Sequence, residues 1–297
     1  MSTRTLPRRL AATLAVVALA LVATACGDTD PATSPDTTLV ADPASANADP
    51  ATELDVVAGE YTFALSADTV AAGRLPLELR NEGVEPHQLM VAKLHDGVTV
   101  EDYLAAYEEG AAAASALVDE AGGVNAVDAG AVRTGYADLE PGRYIVVCFL
   151  PSPEGPSHLH EGMVAGLTVV DGAELPEPTA AGELTMQDFG FVLPEDGLGE
   201  AGTYRVVNAG PSDHELALMR IEDGKTFGDV VTYLQGGFKG VAPVAFVGGA
   251  GGVEPGADTF VDLDLDPGEY VAICFLPDAA SGKVHAELGM VSTFTVP

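Results

Sequence analysis

PGRYIVVCFLPSPEGPSHLHEGM, residues 141–163, and PGEYVAICFLPDAASGKVHAELGM, residues 267–290, are two versions of one sentence. Each leaves a Pro-Gly turn, climbs through a Tyr/Val/Ile-rich run to a cysteine, then meets a histidine and a Gly-Met pair. The match extends outward from them. NEGVEPH, ending at His87, and NAGPSDH, ending at His214, stand 127 residues apart, as do LHDGVTVEDYLAAY from Leu94 and IEDGKTFGDVVTYL from Ile221. Repetition at a fixed offset means one unit written twice.

The unit is rich in short apolar segments bounded by Gly, Pro, Asn and Asp. In the first copy they are GEYTFAL, LPLELRN, HQLMVAKL, GRYIVVCFL and MVAGLTVV. Short strands at close spacing with turn signals predict an all-β fold with an antiparallel β-sandwich in each copy. One helix interrupts each copy: Val100, Tyr103, Leu104 and Tyr107 form an apolar stripe, repeated by Phe227, Val230, Val231 and Leu234. Thr99 with Asp102, and Thr226 with Asp229, sit at capping-box spacing. The Ala-rich AAAASALVDEA after the first helix is expected to extend it, and GGAGG at 248–252 to form a flexible loop.

The expected domains are 52–170 and 181–297, joined by a linker at 171–180. Ahead of them, residues 1–25 combine a basic start at Arg4, Arg8 and Arg9 with an apolar run, the pattern of a secretory signal. ATAC at 23–26 resembles a bacterial lipoprotein cleavage box, which implies lipidation of Cys26. Residues 26–51, rich in Asp, Pro, Thr, Ser and Ala, read as an acidic flexible tether. The protein is thus expected outside the cytoplasm, lipid-anchored to the cell membrane, or alternatively secreted.

Past the signal, ten basic residues face forty-five acidic ones. Such a charge repels phosphate backbones, which argues against nucleic acid and favours a partner with basic surfaces.

Duplication lets the chain weigh its own residues. Of six histidines, His87, His158, His214 and His285 recur, whereas His95 faces Glu222 and His160 faces Glu287, as surface residues do. Cys148 and Cys274 recur, and so do Met163 and Met290; Met90 and Met219 are out of register and read as core. Two imidazoles and a thiolate with a weak thioether form the donor set of a blue-copper electron-transfer site. Cys148 ends a strand, Met163 begins the next and His158 lies between, so one hairpin end carries three of the four.

On the residues Asn81 to His87, Tyr144, Cys148, Pro151, His158, Gly162, Met163 and Gly166, and on Asn208 to His214, Tyr270, Cys274, Pro277, His285, Gly289 and Met290, the chain resembles the cupredoxin family, the plastocyanin and azurin type of copper protein. The resemblance implies two tandem Greek-key β-sandwiches, eight-stranded or similar, with one type 1 copper per domain. His87, Cys148 and His158 would be the strong ligands and Met163 the axial one, with His214, Cys274, His285 and Met290 repeating those roles. The chain departs from the family in its Cys-to-His steps of ten and eleven residues and in Gln88 and Glu215, where Asn is common. A carboxylate at Glu215 would favour Cu(II) and lower that site's reduction potential.

Other functions fit less well. A multicopper oxidase or a nitrite-reductase-like enzyme needs several more histidines than His95 and His160 supply, so no enzyme is expected. DGKT at 223–226 lacks the upstream glycine of a P-loop. A metal-free structural or binding lipoprotein, with Cys148 and Cys274 as buried hydrophobes or as a disulfide, and a copper carrier both stay open. The function that the residues favour is electron transfer with a redox protein partner.

Overall fold

The computed structural model describes residues 49–153, 155–172, 175–194, 197–199 and 201–297. The signal segment, Cys26 and nearly all of the tether lie outside those residues. None of the described helices is long and apolar enough to cross a membrane.

The first half of the chain runs β1 (Leu54–Gly59), β2 (Thr62–Leu65), β3 (Thr69–Ala71), β4 (Gly73–Asn81), β5 (His87–Leu94), α1 (Val100–Glu109), α2 (Ala111–Ser115), β6 (Val118–Val127), β7 (Val132–Leu139), β8 (Gly142–Val147) and β9 (Val164–Val170). The second half follows the same plan with β10 (Gly182–Gln187), β11 (Gly190–Val192), β12 (Gly202–Asn208), β13 (His214–Ile221), α3 (Phe227–Gln235), β14 (Val244–Val253), β15 (Asp258–Leu263), β16 (Gly268–Ile273) and β17 (Val291–Val296). The protein is all-β with short helices.

Two ladders repeat. One joins β2, β1, β4 and β7 in the first half and β11, β10, β12 and β15 in the second. The other joins β6, β5, β8 and β9, matched by β14, β13, β16 and β17. The halves are also hydrogen-bonded to each other, through β6 with β14 and β7 with β15. All 17 strands among the described residues therefore belong to one network, and those residues form one compact unit.

Alternation along β5 shows how the core is built. Leu89 and Val91 point into a cluster with Leu54, Leu77 and Val146, between the two ladders. Met90, Ala92 and Leu94 point the other way, against Tyr103 of α1 and Ile145. Period-two side chains with both faces covered explain why HQLMVAKL is almost continuously apolar. The second half has the same pair of clusters, around Leu216 and Leu218 on one face and Met219 and Ile221 on the other. Met90 and Met219 are 2 % and 0 % exposed, core residues as their register implies.

Both capping boxes form: the Thr99 and Thr226 hydroxyls accept from the backbone N–H of Asp102 and Asp229, whose carboxylates accept from the threonine N–H in return. Two expectations are corrected. The Ala-rich segment does not continue α1: Gly110, at φ +139°, breaks it, α2 lasts five residues, and VDEA already belongs to β6. GGAGG is not a loop but the centre of β14. Its glycines are needed because the strands approach closely: a Cβ on Gly249 would collide with the Leu216 carbonyl oxygen, and one on Gly123 of β6 with that of Leu89. Both glycines also hold positive φ, at +121° and +125°.

Candidate metal centres

Each first histidine is delivered by an asparagine turn. Asn81, fully buried at the end of β4, donates from Nδ2 to the carbonyls of Glu85 and Val127, and its Oδ1 accepts from Gly83 N–H. Asn208 makes the same three bonds with Ser212, Val253 and Gly210. These bonds fix the loop that sets His87 and His214 at the starts of β5 and β13.

The cysteines follow the ends of β8 and β16. Tyr144 and Tyr270 anchor the turns before those strands by donating to the carbonyls of Glu140 and Asp266. Beyond each cysteine the loop folds back: His158 N–H donates to Leu150 C=O at 2.8 Å, and His285 N–H to Leu276 C=O at 2.9 Å. The methionines close the knot through their backbones. Met163 C=O accepts from Cys148 N–H at 3.3 Å and Met163 N–H donates to His158 C=O at 2.8 Å; Met290 does the same with Cys274 and His285, at 3.3 and 2.9 Å.

The side chains converge. In the first half, His158 Nδ1 lies 3.1 Å from His87 Nδ1 and 3.2 Å from Cys148 Sγ. In the second, His285 Nδ1 lies 3.0 Å from His214 Nδ1 and 3.4 Å from Cys274 Sγ, which is 4.0 Å from His214 Nδ1. All six residues are at most 1 % exposed, and Met163 and Met290 are fully buried beside them in the sequence. Both cysteines are free thiols, so neither is half of a disulfide. His95 and His160 are exposed on the surface, paired with Asp119 and Glu108.

These residues fit a metal ion. Donor atoms about 3 to 4 Å apart are spaced as neighbours on one ion with bonds of about 2.0 to 2.3 Å. The ring nitrogens facing away are held as ligating histidines usually are, by carboxylates that take the other N–H. Glu85 accepts from His158 Nε2 at 3.0 Å, and Asp188 from His214 Nε2 at 2.8 Å. That leaves each Nδ1 as the acceptor nitrogen aimed at its cysteine. Glu60 lies 3.7 Å from His87 Nε2, while His285 Nε2 is buried without a hydrogen-bond partner. Tyr61 and Phe189 cover His158 and His285, with ring centroids 5.1 Å away in both cases.

Burial sets the proton affinities. Desolvation, followed by the neighbouring His158, pulls His87 down to about 4, and desolvation also lowers His158 and His285. Burial pushes the Cys148 thiol up to about 12 and raises Cys274 as well. Those three imidazoles are thus neutral and ready to bind, whereas each thiol parts with its proton only when a cation takes its place. Backbone N–H groups of Gln88 and Glu215 already point at the two sulfurs from 3.5 Å.

The sequence reading named the residues of both His, Cys, His clusters and missed their neighbours. Glu85, Glu60, Asp188 and Asn125 were not singled out, although Glu60-Tyr61 and Asp188-Phe189 do recur at an offset of 128 residues. Asn125 crosses between the halves to donate to Glu215 at 3.0 Å, and its position in β6 gave no hint of that.

No protein-family model and no curated protein matches this sequence. Among solved structures, the chain is similar to an auracyanin from the photosynthetic bacterium Roseiflexus castenholzii at 18% identity, over 41% of this chain and 98% of that one, with a TM-score of 0.28. It is similar to auracyanin A, a "blue" copper protein from Chloroflexus aurantiacus, at 16% identity over 40% and 98% of the two chains, TM-score 0.27. A multicopper oxidase is similar over 82% of this chain and 88% of its own, at 13% identity and a TM-score of 0.25. At these identities and scores the function has to be read from the two centres themselves.

Proposed function

We propose that the protein is an extracytoplasmic electron carrier made of two tandem Greek-key, cupredoxin-like sandwiches, each holding one type 1 copper. The observation that carries this reading is the buried His, His, Cys cluster formed twice, with a buried methionine tied by backbone hydrogen bonds to the same cysteine and histidine. His87, Cys148 and His158 would hold one ion with Met163 as the axial donor, and His214, Cys274, His285 and Met290 the other. Copper, when bound, supplies a Cu(II)/Cu(I) couple that takes up and releases single electrons.

The chain's own part is to keep that couple's surroundings constant. Hydrogen-bonded loops hold the histidines in place, Glu85 and Asp188 orient the rings, and burial excludes water. Such burial supports retention of the ion, the need of an electron carrier, over the release that a copper carrier requires. The donors left outside the two clusters, His95 and His160, are exposed and paired with acids, which supports a role without catalysis. The acidic surface suits a redox protein partner with basic surfaces. Lipidation at Cys26 would keep the carrier at the outer face of the membrane.

Counting the metal tests the reading. Native mass spectrometry of the full chain after Cu(II) loading and desalting should find two copper ions, falling to one in Cys148→Ser or Cys274→Ser and to none in the double variant. Fewer than one ion per wild-type chain would refute it.

A further inference from the structure

The residues that follow the cysteines meet at one place. Phe149 and Leu150 from the first half and Phe275 and Leu276 from the second line a single cavity of about 360 Å³, outside both clusters of donors. Gln88 and Glu215, next in sequence to the first histidines, line it too. Its remaining wall is largely apolar and aromatic, with Tyr103 and Tyr107 of α1 and Phe238 beyond α3. The volume and lining are those of a small-molecule pocket.

The cavity also holds polar groups with nothing to bind. Gln88 is 7 % exposed and its side-chain amide makes no hydrogen bond among the described residues; the Tyr103 hydroxyl, on a residue 4 % exposed, makes none either. Both residues line the cavity, where these groups are free to bond a ligand with hydroxyl or carbonyl groups at its rim. No cationic side chain lines the cavity, so its wall offers nothing to pair with an anion, which favours a neutral molecule.

We propose that this cavity binds a neutral hydroquinone of one or two fused rings and is the entry point for electrons to both centres, a proposal that rests on the copper reading above. The aromatic wall takes the flat ring, and Gln88 and the Tyr103 hydroxyl bond its oxygens. A hydroquinone matches the pair of centres in number: its two O–H bonds break as it becomes the quinone, releasing two protons to water and two electrons, one for each Cu(II). Phe149 and Phe275 adjoin the two cysteines through single peptide bonds, so each half has a short covalent route from the cavity wall to its sulfur.

Binding can be read without copper. Anaerobic calorimetry of the metal-free full chain with 2-methyl-1,4-naphthohydroquinone should show one saturable site. Ala111→Trp, an exposed rim position whose indole would fill the mouth, should weaken binding at least tenfold, and Tyr103→Phe about fivefold. The copper-loaded Ala111→Trp protein should keep its metal content and its rate of reduction by ascorbate, while its reduction by the hydroquinone becomes at least tenfold slower. No binding to the metal-free chain, or binding and reduction indifferent to Ala111→Trp, would overturn the proposal. Binding that persists in a chain unable to hold copper would leave the cavity assigned and refute the electron-carrier reading instead.

Discussion

In the first centre it is the later histidine, His158, whose outer nitrogen is held by a carboxylate, Glu85; in the second it is the earlier one, His214, held by Asp188. Position 85 has become Ser212 in the second half, and the neutral Gln88 of the first has become Glu215. Glu215 is 4 % exposed, accepts from Phe275 N–H at 2.8 Å, and is bridged by Asn125 from the other half. The donors are therefore duplicated while the charge around them is not. Duplication of this kind keeps the donor types that a metal demands and leaves the surrounding field free to diverge, so under the proposed function the two centres would differ in redox poise.

The largest effect should come from the outer carboxylates. Glu85→Gln and Asp188→Asn should each weaken copper binding by about 10- to 100-fold at the centre of the same half and leave the other unchanged, as read by competition with a chelator. Equal weakening of both centres would dissolve the comparison. Asn125→Ala removes a donor from a buried carboxylate and should lower stability by about 1–3 kcal/mol in urea melts, with its spectroscopic consequence confined to the second centre.

Exchanging the charge should exchange the poise. Burial raises Glu215 to about 7, so measured above that pH, where it is ionised, Glu215→Gln should raise the potential of the second centre, and Gln88→Glu, likewise ionised, should lower that of the first. Each shift should be on the order of 60 mV, a tenfold change in a one-electron equilibrium, measured by spectroelectrochemical titration. A smaller effect tests the acidic seam between the halves. Burial first, then the charges of Asp213, Glu215 and Glu254, raise Glu120 from 4.5 to about 8. A carboxyl whose folded pKa is raised binds more protons folded than unfolded between those two values, so its contribution to stability is lost as pH rises from about 5 to 8. Glu120→Gln should match the wild type near pH 5 and be more stable near pH 8, on the order of 1 kcal/mol after allowance for its partial exposure.

Much of this cluster was legible because the residue types that can hold a metal follow chemistry that survives in one dimension. His87, Cys148, His158 and Met163 could be recognised from residue type, order and recurrence, and the helix starts at Thr99 and Thr226 from local capping. The Gly-rich strands β6 and β14 were illegible for the opposite reason. Glycine ordinarily breaks strands, and only the approach of Leu89 and Leu216, more than thirty residues away in each case, makes it obligatory at Gly123 and Gly249. The pairing of β6 with β14, and with it the contact of Asn125 with Glu215 and the cavity between the cysteine loops, depends on packing between the halves, which no local pattern encodes.

The most direct test is the visible absorption spectrum of the copper-loaded full chain beside Cys148→Ser, Cys274→Ser and the double variant. Two thiolate centres predict an intense blue band that falls by about half in each single variant and vanishes in the double. A colourless wild type, or a band that survives the loss of both cysteines, would contradict the account.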